Sequence, residues 1–211
     1  LLIRTPSVAI SECVSMTNQM GELAHKNLLL SLEQLSGYSE ERESQILENE
    51  DKLDTYEDRL GSYLVEVSQH GVSMTDIRTV SRLLHAIGDF ERIGDHAMNI
   101  CEYTNMIKEK QITFSKEVIV QIEQMKEVCC DALDLLLDNQ ANSESLHSIE
   151  SIEQKIDDMT ESFRKGQIDR MQTGKCSDEG CVLYSEMLTD FERIGDHILN
   201  IGQEVTGSVD D

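Results

Sequence analysis

The sequence predicts an all-α protein made of two tandem three-helix bundles, with six long antiparallel helices and internal pseudo-symmetry. Three observations support this fold class. Apolar residues recur at helical spacing along almost all of the 211 residues. One proline and 12 glycines are too few to punctuate a fold of many strands and turns. Finally, one string of eight residues occurs twice, at 89–96 and at 190–197.

Six segments follow the helical spacing, and a short polar or glycine-containing break ends each of them. Pro6 lies where the first turn of a helix accepts proline. Ser36 and Gly37 close the first segment, and Gly71 follows the second. Because the connections are short, consecutive helices should pack antiparallel. The predicted helices cover residues 7–35, 39–70, 75–108, 115–138, 144–171 and 178–205.

The two halves of the chain are tandem copies. The string Asp-Phe-Glu-Arg-Ile-Gly-Asp-His at 89–96 returns at 190–197, and an Asn-Ile pair follows at the same distance each time. Upstream, residues 46–54 resemble residues 149–157. A repeat of this length is typical of duplicated helical units. We therefore predict one unit at 1–110 and a second at 111–211.

Composition excludes several classes of function. With 18 basic and 41 acidic residues the formal net charge is −23, which argues against binding to nucleic acid or to an anionic membrane surface. The sequence lacks an apolar run of about 18 residues, so we expect no direct membrane insertion. The six cysteines form no Cys-x-x-Cys pair. They predict reduced thiols in a cytoplasmic protein.

Each half carries two Glu-x-x-x-Asp pairs, whose spacing places both carboxylates on one helix face. They flank the apolar stripe, where pairs from neighbouring helices would meet and repel unless a cation neutralises them. Oxygen ligands of this kind favour hard ions such as Mg²⁺, Ca²⁺, Mn²⁺ or ferric iron. The eight candidate metal ligands are Glu50, Asp54, Glu91, Asp95, Glu153, Asp157, Glu192 and Asp196.

Other polar residues of the repeat receive different predictions. Asn99 and Asn200 follow the ligand aspartates by one turn, and could bind the ion or hold its ligands by hydrogen bonds. The helical wheel places other members of the repeat away from the carboxylates. Two histidines are assigned to a packing seam and two aspartates to the opposite flank: His96, His197, Asp89 and Asp190.

The duplicated Glu-Arg-Ile-Gly-Asp string resembles the PhoU family, and the resemblance covers residues 6–205. It implies a bundle of the PhoU or Spo0B type that regulates phosphate uptake and signalling and is not an enzyme. It also implies multinuclear metal clusters at the same eight carboxylates, containing iron, with Mn, Mg, Ca or Zn as alternatives. One departure is the dense acidity of residues 50–58, which leaves Glu57 and Asp58 as additional candidate ligands.

Residues 1–10 resemble the junction at which bacterial sodium/phosphate cotransporters pass from their membrane part into a cytoplasmic PhoU-like domain. Since the chain begins with Leu1 rather than Met, we expect a piece of a longer protein at the cytoplasmic face of the inner membrane. The partner would then be the membrane domain of a phosphate transporter.

Three alternatives stay open from the sequence. A freestanding adaptor would act on a phosphate ABC transporter and a sensor kinase. Under any of these functions the chain could form a homodimer. A di-metal carboxylate enzyme is less favoured, because we find no set of Glu-x-x-His partners on facing helices, as bundle di-iron enzymes have. A purely structural bundle would bind no metal.

Overall fold

The computed structural model describes residues 5–138 and 143–206. Within these residues every regular element is an α-helix, which confirms the predicted all-α class. Residues 1–4 of the predicted transporter junction and 139–142 of the predicted polar turn lie outside the described residues. No helix in the described ranges carries an apolar stretch long enough for a bilayer crossing. The helices are α1 (Pro6–Ser36), α2 (Glu40–Ser68), α3 (Met74–Lys110), α4 (Lys116–Leu137), α5 (Ser143–Gln172) and α6 (Asp178–Thr206).

Local sequence explains where the helices begin. The hydroxyls of Ser39, Ser73 and Ser115 accept hydrogen bonds from backbone N–H groups in the first turns of α2, α3 and α4. Such N-caps satisfy donors that have no partner within the helix. At α1 the first turn holds Pro6, which has no N–H to satisfy.

The helices form two three-helix bundles, α1–α3 and α4–α6, which lie side by side with α3 packed against α6 and α1 against α4. Residue pairs along α1 and α2 show that these helices run antiparallel. Asn27 donates to the backbone oxygen of Ile46, and Tyr56 donates to Gln19 nearer the other end. Helix α3 ends at Lys110, and the division into units 1–110 and 111–211 stays a prediction.

Reciprocal contacts join the two bundles where α3 crosses α6. The Nδ1 atom of His96 lies 2.8 Å from Asp190 Oδ1, and the Nδ1 atom of His197 lies 2.9 Å from Asp89 Oδ1. The two imidazole rings stack between these pairs with centroids 5.5 Å apart. Each pair therefore joins one copy of the repeated string to the other, as the pseudo-symmetry requires.

Asp190 has the larger set of donors in this contact. Besides His96, it accepts hydrogen bonds from Asn99 Nδ2 at 3.1 Å and from the Tyr103 hydroxyl at 2.6 Å. Its side chain is buried, and such a carboxylate is stable only when donors surround it. The contact between the bundles therefore depends on this network as well as on apolar packing.

The cysteines differ from the sequence prediction at one place. Cys176 and Cys181 form a disulfide bond across the turn that leads into α6, with Cα atoms 6.3 Å apart. The prediction of reduced thiols, which rests on the lack of Cys-x-x-Cys pairs, is therefore wrong for these two residues. The physical reason is that the turn before α6 brings two cysteines five residues apart within bonding distance. The remaining four cysteines are free thiols, and three of them are buried.

Candidate metal centres

The candidate metal centre of the first bundle, called the first centre below, lies between α2 and α3. It forms because these two helices approach closely at Gly94. A Cβ atom at this position would lie 2.9 Å from Leu53 Cδ1 and 3.1 Å from Glu50 Oε2. Glycine therefore leaves room for the buried Leu53 and brings Glu50 of α2 against the carboxylate-bearing face of α3. In an exposed helix, glycine costs about 1 kcal/mol relative to alanine, so its presence here is explained by the close approach.

Carboxylates from both helices meet beside this glycine. Asp54 and Glu57 of α2 and Glu91 of α3 each offer an oxygen atom, and these three atoms lie within 4.8 Å of one another. Two of the three belong to the eight predicted ligands. Glu57 was only an additional candidate, while Asp58, the other one, is exposed and lies outside this group of three.

The carboxylates of Glu50 and Asp95 add further negative charge to the first centre. The Oε2 atom of Glu50 is buried and accepts no hydrogen bond from the described part of the chain. Burial, reinforced by the charges of Asp54, Asp95 and Glu91, raises the pKa of Glu50 to about 7. Burial and the adjacent Asp95 raise the pKa of Glu91 to about 7 as well. An unpartnered carboxylate oxygen among other carboxylates is a site that a cation would stabilise.

The second centre forms in the same way between α5 and α6. Glu153, Asp157 and Asp196 offer oxygen atoms within 4.8 Å of one another, and all three were predicted ligands. Burial raises the pKa of Glu153 to about 7, and Asp157 and Asp196 add to the shift. A Cβ atom on Gly195 would lie 3.1 Å from Ile156 Cδ1, which repeats the close approach seen at Gly94.

Glu192, the remaining predicted ligand, lies in a different environment from its counterpart Glu91. Its Oε2 atom is 3.2 Å from Arg164 Nη2 and 3.5 Å from Thr160 Oγ1. The second centre thus contains an ion pair next to its group of three carboxylates. Neither Arg164 nor Thr160 was singled out from the sequence.

The two asparagines behave differently from each other. Asn99 directs its amide nitrogen to Asp190 in the contact between the bundles, while Asn200 is exposed. Their predicted role at the metal centres stays a prediction. Among the donors grouped at both centres, every ligand atom is a carboxylate oxygen. This donor chemistry suits hard cations and fits the ions predicted from the sequence.

The two halves of this chain, each with one bundle and one candidate centre, were compared with known protein families. The chain matches the PhoU domain family over residues 17–104 and 122–205, which is most of its length. The chain belongs to the PhoU family. The two matched ranges fall in the two bundles, so each half of this PhoU-family chain carries its own match.

Curated relatives of this PhoU-family chain are distant in sequence and similar in length. It is 25% identical to phosphate-specific transport system accessory protein PhoU homolog 1 of Thermotoga maritima, covering 90% of this chain and 83% of the relative. It is 21% identical to the PhoU homolog of Clostridium acetobutylicum, named in the same way, covering 91% and 88% of the two proteins.

Crystal structures of two PhoU proteins share its fold. PhoU from Pseudomonas aeruginosa superimposes with a TM-score of 0.87 at 19% identity, covering 96% of this chain and 98% of that one. The phosphate transport system regulatory protein PhoU from Streptococcus pneumoniae gives 0.84 at 20% identity, covering 98% and 97%. At this level of identity the likeness concerns the fold alone.

Proposed function

We propose that this chain is a non-enzymatic regulator of phosphate uptake and signalling that binds hard metal cations at its two carboxylate centres. The observation that carries the proposal is the convergence of duplicated carboxylates between α2 and α3 and again between α5 and α6. Its family and the names of its relatives, which are accessory proteins of phosphate-specific transport systems, support the phosphate context.

The relatives favour an adaptor that acts on a phosphate transport system over a domain attached to a sodium-dependent transporter. They are named as accessory proteins, and they match this chain over 83–88% of their own length. The attached-domain hypothesis rests on residues 1–10, of which 1–4 lie outside the described residues. We therefore place the accessory adaptor first, with the transporter and a sensor kinase as its partners.

The carboxylates would act by joining helices. In the first centre Asp54 and Glu57 belong to α2 and Glu91 to α3, so a cation held by all three would tie the two helices together. Without it, carboxylates this close repel one another, and part of them retain protons. A bound cation supplies charge neutralisation, and the residues around it determine how strongly the helices are held.

The position of the centres suggests how this state could reach a partner. On α3 the proposed ligands Glu91 and Asp95 lie between Asp89 and His96, which contact α6 of the other bundle. The same order of residues occurs on α6. A cation that binds one arrangement of the bundles better than another shifts the balance between them in proportion to that difference in affinity.

Elemental analysis of protein purified without chelators tests the metal assignment. We expect bound metal in the native chain and a loss of at least half of it in an Asp54→Ala/Asp95→Ala variant, which removes first-centre carboxylates. Glu127→Ala/Asp131→Ala is a matched control, because it removes the same charge from an exposed Glu-x-x-x-Asp pair on α4 that has no counterpart in the other half. Equal metal content in all three proteins would show that the centres are not metal sites.

The regulatory role needs a separate experiment. Metal-loaded and metal-stripped protein should differ in affinity for the cytoplasmic ATPase of a phosphate transporter or for a sensor kinase, measured with purified components. Failure to bind either partner in both states would contradict the adaptor hypothesis and would leave the metal assignment intact.

A further inference from the structure

The two centres differ at the positions where their sequences depart from the repeat. Residues of α2 correspond to residues of α5 at a fixed offset of 103, so Glu50 and Asp54 match Glu153 and Asp157. At the same offset the counterpart of Glu57 is Thr160, and the counterpart of Gly61 is Arg164. An acid is thus replaced by a hydroxyl, and a residue without a side chain by a cation.

In the first centre, Glu57 takes part in the carboxylate group. One of its oxygens lies within 4.8 Å of oxygens of Asp54 and Glu91. Burial and neighbouring acids raise the pKa of Glu57, and Arg92 lowers it as the smallest of these influences. The Arg92 guanidinium lies 3.6 Å from Asp89, on the flank that faces the other bundle. At Gly61, apart from the adjacent residues and the local helix backbone, no atom of the described residues lies within 4 Å of the position that a Cβ would occupy.

In the second centre, the corresponding residues hold Glu192. Arg164 Nη2 lies 3.2 Å from Glu192 Oε2 and 3.0 Å from the hydroxyl of Thr189. Thr160 Oγ1 lies 3.5 Å from the same Glu192 oxygen and 2.9 Å from the backbone oxygen of Asp157, its shorter contact. Glu192 is therefore paired inside the protein, whereas its counterpart Glu91 is one of the three grouped carboxylates of the first centre.

We propose that the two centres are unequal, with the first retaining a hard cation tightly and the second exchanging it. This inference rests on the proposed metal binding. The first centre offers five carboxyl groups, while the second offers four and an arginine that occupies one of them. A cation entering the second centre must either displace Arg164 from Glu192 or bind beside the fixed positive charge of Arg164. Displacing the ion pair and binding beside a like charge each lower the affinity for the cation.

Titration of the metal-stripped chain with Mn²⁺ tests this inequality. Isothermal calorimetry and the electron paramagnetic resonance signal of free Mn²⁺ should both resolve a tight and a weak class of sites. Asp54→Ala should abolish the tight class and Asp157→Ala the weak class, which assigns each class to its centre. A brief exposure to EDTA should remove Mn²⁺ from the weak class first.

Exchanging residues between the two copies tests which side chains cause the difference in affinity between the centres. Arg164→Ala should tighten the weak class by about tenfold, since it frees Glu192 and removes the competing charge. Lys165→Ala is the matched control, because this neighbouring exposed lysine pairs with Glu161 and its removal changes the net charge equally. Thr160→Glu should tighten the weak class independently of Arg164. Glu57→Thr should weaken the tight class by about tenfold.

The outcomes separate this inference from the proposal beneath it. Two classes of equal affinity, or equal effects of Arg164→Ala and Lys165→Ala together with no effect of Thr160→Glu, would overturn the inequality while metal binding stands. Absence of any Mn²⁺ binding would overturn both. Circular dichroism of each variant checks that the helices are intact, and the gain expected from Thr160→Glu cannot arise from misfolding.

Discussion

Replacing Gly94 by alanine should destabilise the protein even though alanine is the better helix former. The added Cβ atom would lie 2.9 Å from Leu53 Cδ1 and 3.1 Å from Glu50 Oε2, closer than an ordinary van der Waals contact. Leu53 is fully buried, so its side chain cannot move aside without disturbing the packing around it. The substitution therefore forces α2 and α3 apart where the first centre forms.

The magnitude follows from two opposing effects. Inserting a methyl group into a packed site costs about 1–3 kcal/mol, and alanine regains about 1 kcal/mol of helix propensity. We expect a net loss of about 1 kcal/mol in the free energy of unfolding, or about 2–4 °C in Tm for a chain of this size. Gly61→Ala is the control, because within the described part of the chain a Cβ at this α2 position contacts only its own local helix backbone, so helix propensity acts alone.

Thermal and urea denaturation of the metal-stripped variants measure this difference. Gly94→Ala should melt below the native chain, and Gly61→Ala at or above it. Mn²⁺ titration should also show weaker binding at the first centre of Gly94→Ala, because the methyl group displaces the Glu50 carboxylate. A Gly94→Ala protein as stable as Gly61→Ala would refute the argument that close helix approach explains this glycine.

Three further predictions concern charge. The pKa of Glu50, raised to about 7 by burial and by neighbours such as Asp54, means that the native state holds a proton that the unfolded state has lost. The free energy of unfolding of the metal-free protein should therefore fall as the pH rises from about 5 to about 7. After discounting for solvent screening, Glu50 contributes about 1 kcal/mol to this fall. Glu50→Gln should flatten that part of a curve of Tm against pH. Asp190→Ala should lower the free energy of unfolding by about 3 kcal/mol, because the buried Asp190 carboxylate has three hydrogen-bond donors. This loss should exceed that of Asp89→Ala, and equal losses in urea denaturation would contradict the prediction. Mn²⁺ at about 100 times the Kd of the weak class should stabilise the native chain by at least about 5 kcal/mol, since each filled centre adds about 3 kcal/mol or more, and should leave an Asp54→Ala/Asp157→Ala variant almost unchanged in differential scanning calorimetry.

Much of the fold could be predicted because its determinants are local. Apolar periodicity, serine caps such as Ser39 and Ser115, and short polar breaks lie within a few residues of the features they control. Each predicted helix ends within two residues of the observed one. The turn before α6 was less predictable, because a disulfide between Cys176 and Cys181 depends on the path of the chain through that turn.

The candidate site could be predicted in part. Spacing of four residues and duplication identified the eight carboxylates, and six of them either join a group of three or, as Glu50 does, contribute a buried oxygen. Spacing alone could not separate Glu57, which joins the first group, from exposed Asp58 one residue later. It also could not show that Arg164 pairs with Glu192, because that contact joins two different helices.

The reciprocal contacts between the bundles show the same limit. The repeated string places Asp89 and His96 in the first copy and Asp190 and His197 in the second, yet their pairing crosses between copies over distances of 94 and 108 residues. A comparison of the two strings reveals only that they are identical. Antiparallel packing of α3 on α6 decides that each aspartate meets the histidine of the other copy.

Helix positions, the duplication and most of the acids that come together could thus be predicted from the order of residues, because helix periodicity and capping act over a few positions. Three-dimensional packing decided which acids meet, which of them is paired with Arg164 and how the bundles join. The physical reason is range: carboxylate repulsion, burial and ion pairing depend on separations of a few ångströms between helices, and those separations are set only when the apolar faces pack.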